Sequence, residues 1–232
     1  MYGYSVTITI IAAIAIFAFI VLFFHGDYLT KILTKLGFKE KTAKLNYAVV
    51  AWRTCLEQLD YKADIAFLGD SITQCGQFQN CFKTKRIVNL GYGGDTIDGI
   101  TKRVEMVKAV LPDKIFLMCG INSLNNNNLR ICLNRYSFLL KSLSEALPDV
   151  EIYVQSVLPV LDGRKLLCSN KTIKNFNAEL EKMSKKYNAI YIDLFSLFIE
   201  AEKPRADLYR DNVHIAEAGY KVWANAISKY ID

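Results

Sequence analysis

Four short polar clusters in this 232-residue chain are of the types that carry chemistry. They are Gly69-Asp70-Ser71, Gly91-Tyr92-Gly93-Gly94-Asp95-Thr96, Gly120-Ile121-Asn122 and Asp211-Asn212-Val213-His214. Taken singly each is ordinary, because Gly, Asp, Asn and Ser are the residues of loops and helix caps. Taken together they supply a hydroxyl, a glycine-rich backbone, a carboxamide and a carboxylate–imidazole pair. Acyl transfer needs those parts: a nucleophile, a base with an orienting carboxylate, and donors for an oxyanion. The chain has only two histidines, and His25 borders an apolar segment, so any serine–histidine chemistry falls to His214. Asp211 stands three residues before it. Residues at i and i+3 share one face of a helical turn, which predicts a carboxylate reaching imidazole Nδ1 and leaving Nε2 for the hydroxyl.

The elements that must position these groups are legible in the hydropathy. Short apolar runs occur at 65–68, 87–90, 115–119, 152–156 and 190–192, and the first three end directly before a polar cluster. Between them lie stretches of helical periodicity at 96–111, 129–147, 172–187 and 215–231. Continuous apolar runs are strands buried on both faces, and intervening helices make parallel crossovers. The expectation is an α/β domain with about five parallel strands between layers of helices. In such sheets ligands bind beyond the carboxyl ends of the strands, so the clusters should share one rim.

Charge and composition bound the rest. Lys and Arg number 29 against 23 Asp and Glu, a net charge of +6, and 52% of residues are hydrophobic. Disorder, collagen and coiled coil are excluded by that apolar content, the scattered glycines and the absence of heptads. Residues 1–26 contain no Asp, Glu, Lys or Arg. As a helix, the apolar stretch 6–24 would be about 28 Å long, close to the hydrocarbon thickness of a bilayer. A cleaved signal peptide would need a basic start and small residues before the cut, and this segment has neither. The reading is a single-pass anchor at 1–26, a basic juxtamembrane linker and leading helix at 27–60, and one domain at 61–232. Lys31, Lys35, Lys39, Lys41 and Lys44 favour a cytoplasmic domain by the positive-inside rule. Of the six cysteines, Cys119 and Cys132 fall in core elements. Cys75 and Cys81 have a spacing that a disulfide could close in an oxidising compartment.

Other chemistries find little support. There is no P-loop, and Gly91-Tyr92-Gly93-Gly94 lacks the spacing of a dinucleotide fingerprint. One usable histidine and no Cys-x-x-Cys argue against a metal site. No basic–aromatic patch of a nucleic-acid binder is present.

The four clusters, in this order, resemble the blocks of the SGNH (GDSL-type) hydrolases, an esterase and lipase superfamily. The resemblance runs from about Ala63 to the C-terminus. The stretch Asn89-Leu90-Gly91-Tyr92-Gly93-Gly94-Asp95-Thr96 is most similar to the branch containing the platelet-activating-factor acetylhydrolase catalytic subunits. The resemblance implies a three-layer α/β/α flavodoxin-like fold and a serine ester hydrolase needing no cofactor. It implies Ser71 as nucleophile, with Asp211 and His214 completing a triad. The N–H groups of Ser71 and Gly94 and the side chain of Asn122 would form the oxyanion hole, with Gly69, Asp70 and Gly120 as supporting motif positions. Ile72 stands where the family name has Leu, an apolar exchange. The implied partner is a small-molecule, glycan or lipid ester, such as a sugar acetate or a lysophospholipid. An O-acyltransferase with the same triad, or a silent binding module, are the alternatives, and the intact motif positions oppose the second. Surface-type substrates favour an extracytoplasmic domain at the cell membrane, against the downstream lysines.

Overall fold

The apolar runs become the five strands of one parallel sheet. They are β1 (Ile65–Gly69), β2 (Ile87–Gly91), β3 (Lys114–Met118), β4 (Glu151–Gln155) and β5 (Ile190–Ile192). The order across the sheet is β2-β1-β3-β4-β5, with every neighbouring pair parallel. The computed structural model describes residues 61–161 and 168–231. The expected anchor, the basic linker and the leading helix at 47–59 lie outside these residues. Among the described residues, no helix is long and apolar enough to cross a membrane.

Alternation along the strands feeds two apolar layers, as a period of two requires. Ala66, Leu68, Val88, Leu90, Ile115 and Leu117 face one layer. It is closed by α3 (Ile97–Thr101), α4 (Val104–Ala109), α5 (Leu129–Ala146) and α6 (Asn170–Lys186). Ile65, Phe67, Ile87, Phe116, Met118 and Tyr153 face the other. That side is closed by α1 (Ser71–Gln74), α2 (Phe78–Cys81) and α7 (Glu217–Ile227). A row of stacked rings crosses it: Phe78 on Phe67 at 3.7 Å, Phe67 on Phe116 at 5.1 Å, and Phe116 on Tyr153 at 4.6 Å. Trp223 of α7 meets Phe78 edge-on at 4.9 Å, joining helix to sheet. Edge-on aromatic contacts such as the last add to the stability from buried area.

Three differences from the sequence reading bear on the site. The helix expected at 96–111 breaks at Lys102–Arg103 into α3 and α4, and the break accompanies an Arg103 that is buried at 4% exposure. The last helix starts at Glu217 rather than at 215, because Ile215 is held in a bridge to Tyr209. The four-residue helices α1 and α2 and a hairpin of β6 (Ile199–Glu200) and β7 (Lys203–Pro204) are too short to show a period.

The strand ends pack tightly. Gly69 of β1 pairs in register with Gly91 of β2 and with Met118 of β3. Asn89 then ties β2 to the turn that carries Ser71: its Nδ2 donates to the carbonyls of Thr73 (2.8 Å) and Gly76 (2.9 Å), and its Oδ1 accepts the Gly91 N–H at 2.9 Å. A Cβ on Gly91 would overlap the backbone nitrogen of Gln74. Gly91→Ala should therefore displace α1 and cost roughly 1–3 kcal/mol by overpacking. Urea denaturation checks this, and an unchanged midpoint would show that the two backbones can part freely.

Candidate active site

Ser71 is the first residue of α1, directly after β1. The helix starts there because Asp70 caps it, its Oδ1 accepting the Ile72 N–H at 3.0 Å. Tyr220 of α7 donates its hydroxyl to the Ile72 carbonyl at 2.7 Å, fixing this turn against the last helix. Ser71 Oγ lies 2.9 Å from His214 Nε2, and His214 Nδ1 lies 2.8 Å from Asp211 Oδ2. The three side chains that the sequence groups thus lie in one hydrogen-bonded line, but through a different local geometry from the one expected. Residues 210–214 form a loop, not a helical turn. Asp211 Oδ1 accepts the N–H groups of both Val213 and His214 at 2.8 Å, and the Arg210 N–H donates to the His214 carbonyl at 2.8 Å. The aspartate folds the loop with one oxygen and orients the imidazole with the other.

The glycine-rich cluster stands beside this line. Tyr92 N–H donates to the Gly69 carbonyl at 3.0 Å and to that of Asp70 at 3.1 Å, hooking the loop onto the turn that carries Ser71. Gly94 has φ +73 and nothing lies near a notional Cβ, so glycine is required by conformation rather than by crowding. Asn122 is exposed on the same rim and donates one Nδ2 hydrogen to the Asp95 carbonyl at 2.9 Å, leaving the second for a ligand. Gly120 closes the end of β3 just before it. The run Asn125–128 is scaffolding: Asn128 accepts the Asn125 N–H at 2.8 Å and donates to the Ser123 carbonyl at 2.8 Å.

One buried residue beneath the rim, Arg103, escaped the sequence reading. The Arg103 guanidinium pairs with Asp95 Oδ2 through Nη2 at 2.6 Å and Nε at 2.9 Å. Its Nη1 donates to the Leu90 carbonyl at 3.1 Å and Nη2 approaches that of Gly69 at 3.5 Å. The signal was present: Arg103 sits on the same helical stripe as Ile97, Ile100, Val104 and Val107, where a cation needs a buried partner. Cys75 and Cys81 are exposed free thiols, whereas Cys119 and Cys132 are buried. Among the described residues, no group of three or more His, Cys, Asp or Glu is placed to hold a metal ion.

Residues 67–222 match the family described as GDSL-like lipase/acylhydrolase. Among solved structures, the fold is similar to that of a Streptococcus pneumonia protein suggested to be a platelet activating factor (24% identity, TM-score 0.69, 89% of this chain and 99% of that one). It is similar to a GDSL-like lipase from Bacteroides thetaiotaomicron (19%, 0.66, 79% and 95%). The acetyl xylan esterase AlAXEase also shares it (22%, 0.61, 72% and 99%). No curated protein matches the chain.

The carboxylates flanking the Ser71–His214 contact are driven in opposite directions. At Asp211, burial opposes ionisation, but the N–H groups of His214 and Val213 and then the imidazole outweigh it and hold the carboxyl at about 2. At Asp70, burial pushes the carboxyl up to about 7; the Asp95 charge adds to this, while the Ile72 N–H and His214 oppose it. Between its ordinary value of 3.8 and about 7, folded Asp70 holds a proton that the unfolded chain has lost. Its contribution to stability is therefore full below 3.8 and is lost as pH rises through about 7. Asp70→Asn keeps an acceptor for Ile72 and removes the titration. Relative to the parent, the variant should gain on the order of 1–3 kcal/mol between pH 4 and pH 8. Urea melts at both pH values measure the gain, and a difference that does not change with pH would place Asp70 in contact with solvent.

Proposed function

The chain belongs to the GDSL-like lipase/acylhydrolase family and is a carboxylic ester hydrolase, and from that premise we propose that Ser71, His214 and Asp211 hydrolyse its substrate through an acyl-enzyme. The observation that carries this is the hydrogen-bonded line of 2.9 and 2.8 Å from Ser71 through His214 to Asp211, with the Asn122 amide on the same rim. Ionised Asp211 holds the proton on Nδ1, so Nε2 is the free base. As Ser71 Oγ attacks the ester carbonyl, Nε2 takes the hydroxyl proton. The carbonyl oxygen becomes an oxyanion, which the N–H groups of Ser71 and Gly94 and Nδ2 of Asn122 receive. Collapse returns the carbonyl, and the imidazolium gives its proton to the departing alkoxide. Water then attacks the acyl-serine by the same route in reverse, Nε2 taking a proton from it and returning it to Ser71 Oγ. No cofactor enters either half.

The rim is shallow: Gly93, Gly94 and Asn122 are exposed, and the His214 side chain is 32% exposed. An open rim suits a short acyl group carried on a bulky alcohol, and the similarity to an acetyl xylan esterase supports an acetyl ester of a glycan. Transfer to a sugar hydroxyl would use the same line, and product analysis with a competing alcohol separates it from hydrolysis. We further propose that residues 6–24 anchor the domain in a membrane, from their length and lack of charge.

Ser71→Ala should fold normally, lose activity on p-nitrophenyl acetate by roughly 10⁴-fold or more, and lose labelling by a fluorophosphonate probe. Labelling that persisted would place the nucleophile elsewhere. The full-length protein should stay with membranes through high-salt and carbonate washes, which strip charge-bound proteins. Release by salt alone would overturn the anchor.

A further inference from the structure

We propose that Arg103 is a positioning residue for the oxyanion site, one guanidinium setting the geometry of all three donors. The inference rests on the function proposed above and deepens it. Its basis is how the three donors are joined. The Ser71 N–H follows β1, whose last carbonyl, that of Gly69, lies 3.5 Å from Nη2. The Gly94 N–H immediately precedes Asp95, whose carboxylate is gripped by Nη2 and Nε at 2.6 and 2.9 Å. Nδ2 of Asn122 is aimed by its bond to the Asp95 carbonyl at 2.9 Å. Arg103 also holds the Leu90 carbonyl at 3.1 Å, at the end of β2, and its guanidinium carbon lies 5.0 Å from the centre of the Tyr92 ring. The ends of β1 and β2 and the loop carrying Gly94 thus meet at a single buried side chain, and the carboxamide joins them through the Asp95 carbonyl.

Stability alone is a weak reason for such a group. A buried ion pair often adds nothing over apolar residues of the same volume, because desolvation offsets the attraction. What a guanidinium supplies that an apolar side chain cannot is several donors in a fixed fork. Four contacts to three chain segments use that fork. Arg103 and Asp95 have 4% and 3% exposed side chains, so the grip is unscreened by water. Small errors in donor placement are costly in rate, since preorganised donors act on charge that exists only in the transition state.

The test is a double-mutant cycle on p-nitrophenyl acetate. Arg103→Lys keeps the charge opposite Asp95 but loses the fork. It should lower kcat by about 10-fold or more with KM within about twofold, as expected of a transition-state effect. Asn122→Ala should lower kcat by about 10²–10³. If Arg103 acts by placing the donors, the combined variant falls well short of the product of the two losses. A full product, or a Lys variant with unchanged kcat, overturns the inference and leaves the proposed function standing. An Asn122→Ala variant with unchanged kcat removes the oxyanion assignment and the inference with it. Asp95→Asn/Arg103→Met removes both buried charges together and guards against misfolding of the Lys variant. It should melt near the parent and still lose kcat, and a folded form with parental kcat overturns the inference.

Discussion

The hydrogen bond between Ser71 and His214 joins residues 143 apart in sequence, and much of the fold serves to keep its ends 2.9 Å apart. One end is set by β1, buried at every position, and by the Asp70 cap that starts α1 where the strand stops. The other end is set by a loop that Asp211 folds upon itself and that the Tyr209–Ile215 bridge closes. The two ends meet because α7 packs on the same sheet face as α1 and α2. There Trp223 reaches Phe78 and Tyr220 reaches the Ile72 carbonyl. Neither contact touches the reacting atoms. Both help to hold the His214 imidazole in front of the Ser71 hydroxyl.

Environment, not residue type, assigns the carboxylates. Asp70 and Asp211 lie within three residues of Ser71 and His214 respectively, yet one is pushed up to about 7 and the other held at about 2. Asp211 is half exposed and answers three donors, so it stays charged and orients the imidazole. Asp70 is buried, and its burial, with the Asp95 charge adding to it, disfavours ionisation. Among the described residues, Arg103 pairs with Asp95 and not with Asp70. Without that cation, Asp70 is driven by its burial toward the protonated form.

Much of this was legible in the chain, for reasons that differ element by element. The strands were plain because a parallel sheet covered on both faces needs unbroken apolar runs, as at Ile65–Gly69. The site clusters were plain because the polar residues end those runs on one rim. The break between α3 and α4 was hidden, since Val104 and Val107 continue the period of Ile97 and Ile100 across it. The loop at Asp211 was misread because a spacing of three fits both a helical turn and a side chain accepting the next amides. Arg103 was legible only as a charge on an apolar stripe, and what it grips is carbonyls that no sequence displays.

The order of the chemical groups along the chain has a temporal meaning. Ser71 and the donors at Gly94 and Asn122 all precede β4, whereas Asp211 and His214 follow β5. At about 5–20 residues per second, synthesis delivers His214 roughly 7–30 s after Ser71. Throughout that interval, in which β2 to β5 are added to β1, the Ser71 hydroxyl has no imidazole beside it. On the proposed mechanism the nascent domain is inert toward ester bonds until the loop bearing His214 is in place, and reactivity switches on with completion of the fold.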